Sequence, residues 1–95
     1  MQVEWDHAKN EANRRKHGID FETAQLIFHD PFCITFVERV LDGEERWHAI
    51  GSIGEIILLV VGHTYREENS EQVIRIISAR RATPKERRLY DQAIG

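Results

Sequence analysis

The sequence predicts an α+β domain in which two helices precede an antiparallel sheet of about four strands and one helix follows it. Three observations predict it. Asp6 and Asp20 are helix-starting residues within the first quarter of the chain. Apolar segments of strand character then succeed one another from Phe32 to Ala79, and Thr83-Pro84-Lys85-Glu86 opens a last helix. Strands that gather together, instead of alternating with helices, argue for an antiparallel sheet. At 95 residues the chain reads as a single domain, 1–95, with one core. A chain of this size buries roughly two-thirds of its unfolded surface.

Each element has a local cause. Val3-Glu4-Trp5 reads as a short opening strand. Asp6 is an N-cap, its carboxylate suited to accept an amide of the first turn. Lys16-His17-Gly18 closes that helix: cations suit the negative end of the dipole, and glycine takes the left-handed position beyond the last turn. Ala8, Ala12 and Arg15 share one face, and Asp6, Lys9, Asn13 and Lys16 another, so the apolar stripe is thin and the helix belongs at the surface. Asp20 caps a second helix, in which Phe21, Ala24, Ile27 and Phe28 face the core and which Pro31 ends. Phe32 to Val37 alternates, with Phe32, Ile34 and Phe36 on one side and Cys33, Thr35 and Val37 on the other. Asp42-Gly43 marks a turn, Arg46 to Gly51 the next strand, and Gly54-Glu55 a turn into Ile56–Tyr65. That strand is apolar on both faces and therefore central. Glu67-Glu68-Asn69-Ser70 is a polar turn, longer than a minimal hairpin needs. Val73–Ala79 is again apolar on both faces, interrupted by Arg75 and Ser78. Thr83 at N-cap, Pro84 at N1 and Glu86 at N3 make a capping box.

Composition narrows the functional classes. Apolar residues are 41% and charged residues 31% of the chain, which argues for a folded globular protein. The longest apolar run, Ile56 to Val61, is six residues, far below the roughly 20 needed to span a bilayer. The N-terminus lacks a basic and an apolar region of signal-peptide type, so the expected location is cytoplasmic. Cys33 is the single cysteine, and no Cys/His spacing suggests a metal site. No P-loop, GxGxxG or GxSxG is present, and no cofactor is expected. The net charge is −3, yet residues 75–88 carry a local +5 and residues 9–17 a local +3, leaving −11 on the rest. Such a dipolar chain has a positive pole despite its sign.

The cationic segment from Arg75 to Tyr90 carries the candidate chemistry. Arg80-Arg81 falls where a strand hands over to the capped helix, and guanidinium forks suit phosphate oxygens. The helix N-terminus adds free amides. Arg75 inside an apolar strand is costly to bury unpaired, so it marks a site or an ion pair with a neighbouring strand. Glu86 is explained by its capping role, and Tyr90 by packing. His63, at the end of the central strand, has the titration range of a general acid or base; a satisfied sheet-edge histidine is the structural alternative. His17 suits a helix C-terminus, while His7, His29 and His48 have no partner visible in the sequence.

Three blocks resemble a known family. These are Glu4-Trp5-Asp6 with Lys9, Asn13, Lys16-His17-Gly18-Ile19, Phe21-Glu22 and Ala24; Glu45-Arg46-Trp47 with Ile50-Gly51; and Arg75-Ile76-Ile77-Ser78-Ala79-Arg80-Arg81-Ala82 with Glu86-Arg87 and Tyr90. They are similar, without departure and over about Val3 to Tyr90, to the BrnT family of type II toxin–antitoxin systems. The resemblance implies a RelE-like fold and a metal-independent ribonuclease that arrests translation. It also implies neutralisation by a BrnA-like antitoxin, a ribbon-helix-helix protein through which the complex contacts operator DNA.

Cleavage without a metal needs a base for the 2′-hydroxyl, an acid for the 5′-oxygen and cations for the charged transition state. Arg75, Arg80 and Arg81 are the candidates for phosphate stabilisation, and His63, Glu86 and Tyr90 for proton transfer. Lys9, Lys16, Lys85, Arg87 and Arg88 are candidates for RNA binding, Lys9 and Lys16 also for the antitoxin. The rival class is a non-catalytic module that uses the same cations to hold an acidic partner. A direct DNA binder is the third reading, against which stands the lack of a recognition helix with base-reading side chains.

Overall fold

β1 (Gln2–Trp5) runs into α1 (His7–His17), which Asp6 caps by accepting the amide of Lys9 at 3.0 Å and Gly18 ends at φ 72°. The computed structural model describes residues 1–55 and 57–95. The helix docks through amides and not through its alanines. Ala8 and Ala12 are exposed, whereas Asn13 is buried. Asn13 donates to the carbonyls of Ile19 and Ala79, each at 2.9 Å, and accepts the Ala79 amide at 3.1 Å. Asn10 accepts the amide of Phe21 at 2.8 Å. A thin apolar stripe is thus compensated by two side-chain amides that complete backbone groups of the sheet and of the next helix.

Asp20 caps α2 (Phe21–Ala24), a single turn that tightens into a 3-10 helix over Gln25–His29, so the second helix is shorter in its α part than the sequence suggests. The sheet has five strands where about four were expected, because the opening strand β1 joins it: β2 (Ile34–Leu41), β3 (Glu44–Ile53), β4 (Ile57–Glu68) and β5 (Glu71–Arg81) complete it in the order β1-β5-β4-β3-β2. The extra strand is β1, which pairs in parallel with β5, while every other pairing is antiparallel. β4 is central, as its two apolar faces require. The strand expected to start at Ile56 has that first residue outside the described set.

Both hairpin turns are two residues long, the first at Asp42-Gly43 as expected and the second tighter than the four-residue turn expected over Glu67–Ser70. Asp42 and Gly43 join β2 to β3 with φ of 51° and 78°, and Asn69 and Ser70 join β4 to β5 with φ of 53° and 66°. Successive left-handed residues give the turn twist that matches paired strands. The acidic stretch at 66–71 is therefore mostly strand, not loop. α3 (Pro84–Ile94) closes the chain, with the Thr83–Glu86 capping box formed reciprocally.

Alternation and register sort the side chains onto two faces. One face carries Leu59, Val61, Ile74, Ile76 and Ala79 and lies under Phe21, Ala24 and Ile27 of the helices. Gly51 makes this approach possible, since a β-carbon there would fall 2.7 Å from Cβ of Ile27. The other face carries Ile50, Leu58 and Val60, packed under Tyr90 of α3. At eleven residues α3 covers only part of that face.

His63 lies within β4, not at its end, because the strand continues to Glu68. It is on the helix-covered face and has no exposed surface. The rings of Phe28 and Tyr65 meet it edge-on at 5.3 and 4.9 Å, and its Nδ1 lies 3.2 Å from the Val61 carbonyl. Among the described residues its Nε2 has no partner. Burial lowers its pKa below the ordinary histidine value, against a smaller upward pull from the Val61 carbonyl.

Two predictions follow from this packing. Asn13→Ala leaves three backbone groups, two of them buried, without their side-chain partner and should destabilise the protein by about 2–3 kcal/mol in urea unfolding. Ala12→Ser, on the exposed side of the same helix, should change stability by less than about 0.5 kcal/mol. For His63 the sign is set by a folded-state pKa below the unfolded one. Above the ordinary histidine value both states are neutral and the residue has no pH effect. As pH falls below it the unfolded chain binds the proton first, and stability declines, by at most about 1.4 kcal/mol per pH unit. Unfolding midpoints measured from pH 7.5 to 5.5 should therefore fall, and His63→Leu should flatten that slope.

Candidate active site

The part of the second sheet face beyond α3 is open and polar. Register places His48 on β3, Gly62 on β4 and Ser78 on β5 in one row across three strands. A β-carbon on Gly62 would lie 2.4 Å from Oγ of Ser78 and 3.9 Å from Cδ2 of His48. The glycine thus leaves the space in which the two flanking side chains approach each other over the middle strand. Two residues further along β5, on the same face, stands Arg80, across from Val60 and Ile50. Two residues from His48 in the other direction stands Arg46.

Arg80 is held in a fork. Its Nη1 and Nη2 donate to the two carboxylate oxygens of Glu86 at 2.7 and 2.8 Å. Glu86 also accepts the Thr83 amide at 2.9 Å, so the capping residue of α3 doubles as the clamp on the arginine. The hydrogen bonds from Arg80 are the largest cause that holds the Glu86 carboxyl down, at about 2, against partial burial. The same partner raises the pKa of Arg80 above its ordinary value. At neutral pH this pair is a fixed guanidinium and a fixed carboxylate.

His48 is half-buried beside it, its ring edge-on to Phe36 at 5.9 Å. Burial lowers its pKa below the ordinary histidine value; Glu38 and Glu86 pull it up, while Arg80 and Arg39 push it down. An imidazole kept neutral near pH 7, on an open face and within the field of a clamped arginine, is equipped to accept a proton next to an anionic group.

The residues singled out from the sequence do not all converge here. Arg80 and Arg81 are adjacent in sequence and point to opposite faces: Arg81 pairs with Leu59 on the helix-covered side and borders Gly18, Ile19 and Asp20. Arg75 is on the open face, and its Nη1 donates to Glu4 of β1 at 2.8 Å, the cross-strand ion pair that its position invited. His63 is walled in on the other side. Tyr90 is 7% exposed, and its hydroxyl donates to Asp30. Burial first, and that hydrogen bond second, push the phenol up to about 12. Burial pushes the Asp30 carboxyl up, but the donors Tyr90, Phe32 and Ser52 outweigh it and leave the carboxyl below its ordinary value. Lys85, Arg87 and Arg88 are exposed on α3, and Lys9 and Lys16 are exposed on α1, the helix on the opposite side of the sheet from Arg80. Burial pushes the Cys33 thiol up to about 11, which removes it as a nucleophile near neutrality.

His48, Ser78 and Arg46 escaped the sequence reading. The available signal was periodicity: Arg46 and His48, and Ser78 and Arg80, are each two apart on a strand, so each pair shares a face. Among the described residues no group of three or more His, Cys, Asp or Glu side chains is placed to hold a metal ion, and no helix is long and apolar enough to cross a membrane.

The arrangement can therefore bind a phosphate at Arg80, move a proton at His48 and do so on an accessible surface. No curated protein matches the chain significantly. A solved structure does: the crystal structure of the Brucella abortus ribonuclease toxin BrnT aligns with a TM-score of 0.65 at 28% identity, covering 87% of this chain and 97% of that one. The family profile described as the ribonuclease toxin BrnT of type II toxin–antitoxin systems matches residues 5–86. With a polar, cationic sheet face, a five-stranded α+β fold and a family match over most of its length, the chain belongs to the BrnT family of ribonuclease toxins.

Proposed function

We propose that this chain is a metal-independent endoribonuclease that cleaves RNA on the open half of the sheet face and so arrests translation in the cytoplasm. The observation that carries the reading is the juxtaposition on that face of a neutral, half-buried His48 with Arg80 clamped by Glu86. His48 takes the proton of a ribose 2′-hydroxyl, whose oxygen attacks the adjacent phosphorus. Arg80 neutralises the charge that builds on the phosphoryl oxygens, already oriented and already desolvated on one side by the fork. The bond to the 5′-oxygen breaks, and the imidazolium returns the proton to that oxygen, leaving a 2′,3′-cyclic phosphate and a 5′-hydroxyl. Glu86 is a positioning group: a carboxyl at about 2 has no proton to give near neutrality. Tyr90 and His63 hold the fold in this reading, and Arg75, Lys85, Arg87 and Arg88 extend the track for the RNA backbone.

A BrnA-like ribbon-helix-helix antitoxin is the expected neutralising partner, and contact with DNA is expected through that complex alone. What supports it is the type II family match.

The test is direct. Antitoxin-free protein incubated with RNA in EDTA should yield fragments with cyclic-phosphate and 5′-hydroxyl ends. Arg80→Ala and His48→Ala should each lower the rate by about 100-fold or more. RNA that stays intact at high protein concentration would support the non-catalytic module instead. Full activity of His48→Ala would remove the proton-transfer assignment.

A further inference from the structure

A cleft of about 220 Å³ opens beside the site just described, with Gly62 as its floor and Glu38, Arg39, Arg46, His48 and Ser78 around it. Two strand irregularities shape it. The β2–β3 register shifts between Val37 and Arg39, which leaves Glu38 without a cross-strand partner. The β4–β5 register shifts between Gly62 and His63, and the residue passed over on β5 is Ile77, which borders the same cleft. Bulges turn side chains away from the regular alternation, and here both lie at one cleft.

Arg46 borders the cleft. Nε of Arg46 is buried and, among the described residues, has no hydrogen-bond partner, while its Nη2 meets Glu44 at 3.2 Å. With Nε enclosed by protein, a ligand in the cleft would be read by the Nη groups of Arg46, a planar fork suited to a pair of acceptors. Glu38 supplies the opposite chemistry. Its carboxylate accepts Nε of Arg39 at 2.7 Å and keeps lone pairs for another donor.

We propose that this cleft is a base-recognition pocket for a guanine next to the scissile phosphate. Guanine presents two donors, N1–H and the N2 amino group, on the edge that a carboxylate accepts, and O6 and N7 as the acceptor pair that an arginine reads. Adenine lacks the donor pair, and uracil and cytosine each offer a single donor there. The volume admits a purine lying over Gly62, where any side chain would fill the space. The proposal rests on the ribonuclease reading for its biological meaning, but the pocket is testable without turnover.

The experiment has two arms. In the first, four oligoribonucleotides that differ in one base flanking the cleaved bond are compared by kcat/KM. The wild type should favour guanine by about 10-fold or more, and Arg46→Lys, which keeps the charge and removes the planar fork, should bring the four substrates within about threefold. Glu38→Gln should erode the same preference. In the second arm, equilibrium binding of the four nucleoside 3′-monophosphates is measured; guanosine monophosphate should bind at least about fivefold tighter than the others, and Arg46→Lys should abolish the difference. Thermal melts of both variants establish that they are folded. Cleavage without base preference, or a guanine preference that survives Arg46→Lys, overturns the pocket and leaves the ribonuclease standing. Selective guanosine binding with no cleavage of any RNA supports the pocket and overturns the ribonuclease reading.

Discussion

Glu86 accepts three hydrogen bonds at once, two from the Arg80 guanidinium and one from the Thr83 amide, and the placement of α3 depends on them. Each bond from a charged donor is worth about 1.5–3 kcal/mol when partly buried. Together they weld the end of β5 to the first turn of the helix that follows it. At the other end, the Tyr90 hydroxyl and the Asp30 carboxylate tie the helix to the segment before β2, and Asp30 also holds the amide of Ser52 on β3. Pinned twice, an eleven-residue helix covers Ile50, Leu58 and Val60 and can go no further. The uncovered sheet beside it is the consequence, and that surface is where the polar side chains of β3 and β5 stand.

The two faces of the sheet solve opposite problems. The helix side must exclude water over a long apolar surface, and it does so with close approach at Gly51 and with amide contacts from Asn10 and Asn13 where alanines would leave backbone groups unmet. The open side must keep a surface accessible without being flat. One glycine and two bulges give it relief: Gly62 lowers the floor, and Glu38 and Ile77 sit where the register slips. Arg80 and Arg81 show how sharply the division runs. Adjacent in sequence, they belong to different faces, so the charge that looks concentrated along the chain is split by the strand.

Much of this was legible in the sequence, for local reasons. The caps at Asp6, Asp20 and Thr83 act over three residues, and the structure forms each as read. The two-faced apolarity of β4 identified it as central. β1 could not be given its partner, because a parallel pairing with β5 joins residues about 70 positions apart and leaves no turn signature. The site was legible in part. Arg80 was singled out from strand-end and phosphate chemistry, and the structure places it near the end of β5, clamped by Glu86. His48 was passed over because two of its charged neighbours, Arg80 and Glu86, lie more than 30 positions away in sequence. His63 was misplaced for the converse reason: a histidine after an apolar run suggests a strand end, whereas the strand continues to Glu68 and the aromatic rings of Phe28 and Tyr65 close around it.

The most direct measurement is where RNA touches the folded protein. A short RNA made non-cleavable by a 2′-deoxy residue can be titrated into isotope-labelled protein while backbone amide shifts are followed. The predicted result is a cluster of changes at His48, Gly62, Ser78 and Arg80, on the open half of the sheet. Changes confined to α1 around Lys9 and Lys16, with the sheet row unmoved, would contradict the placement of the site.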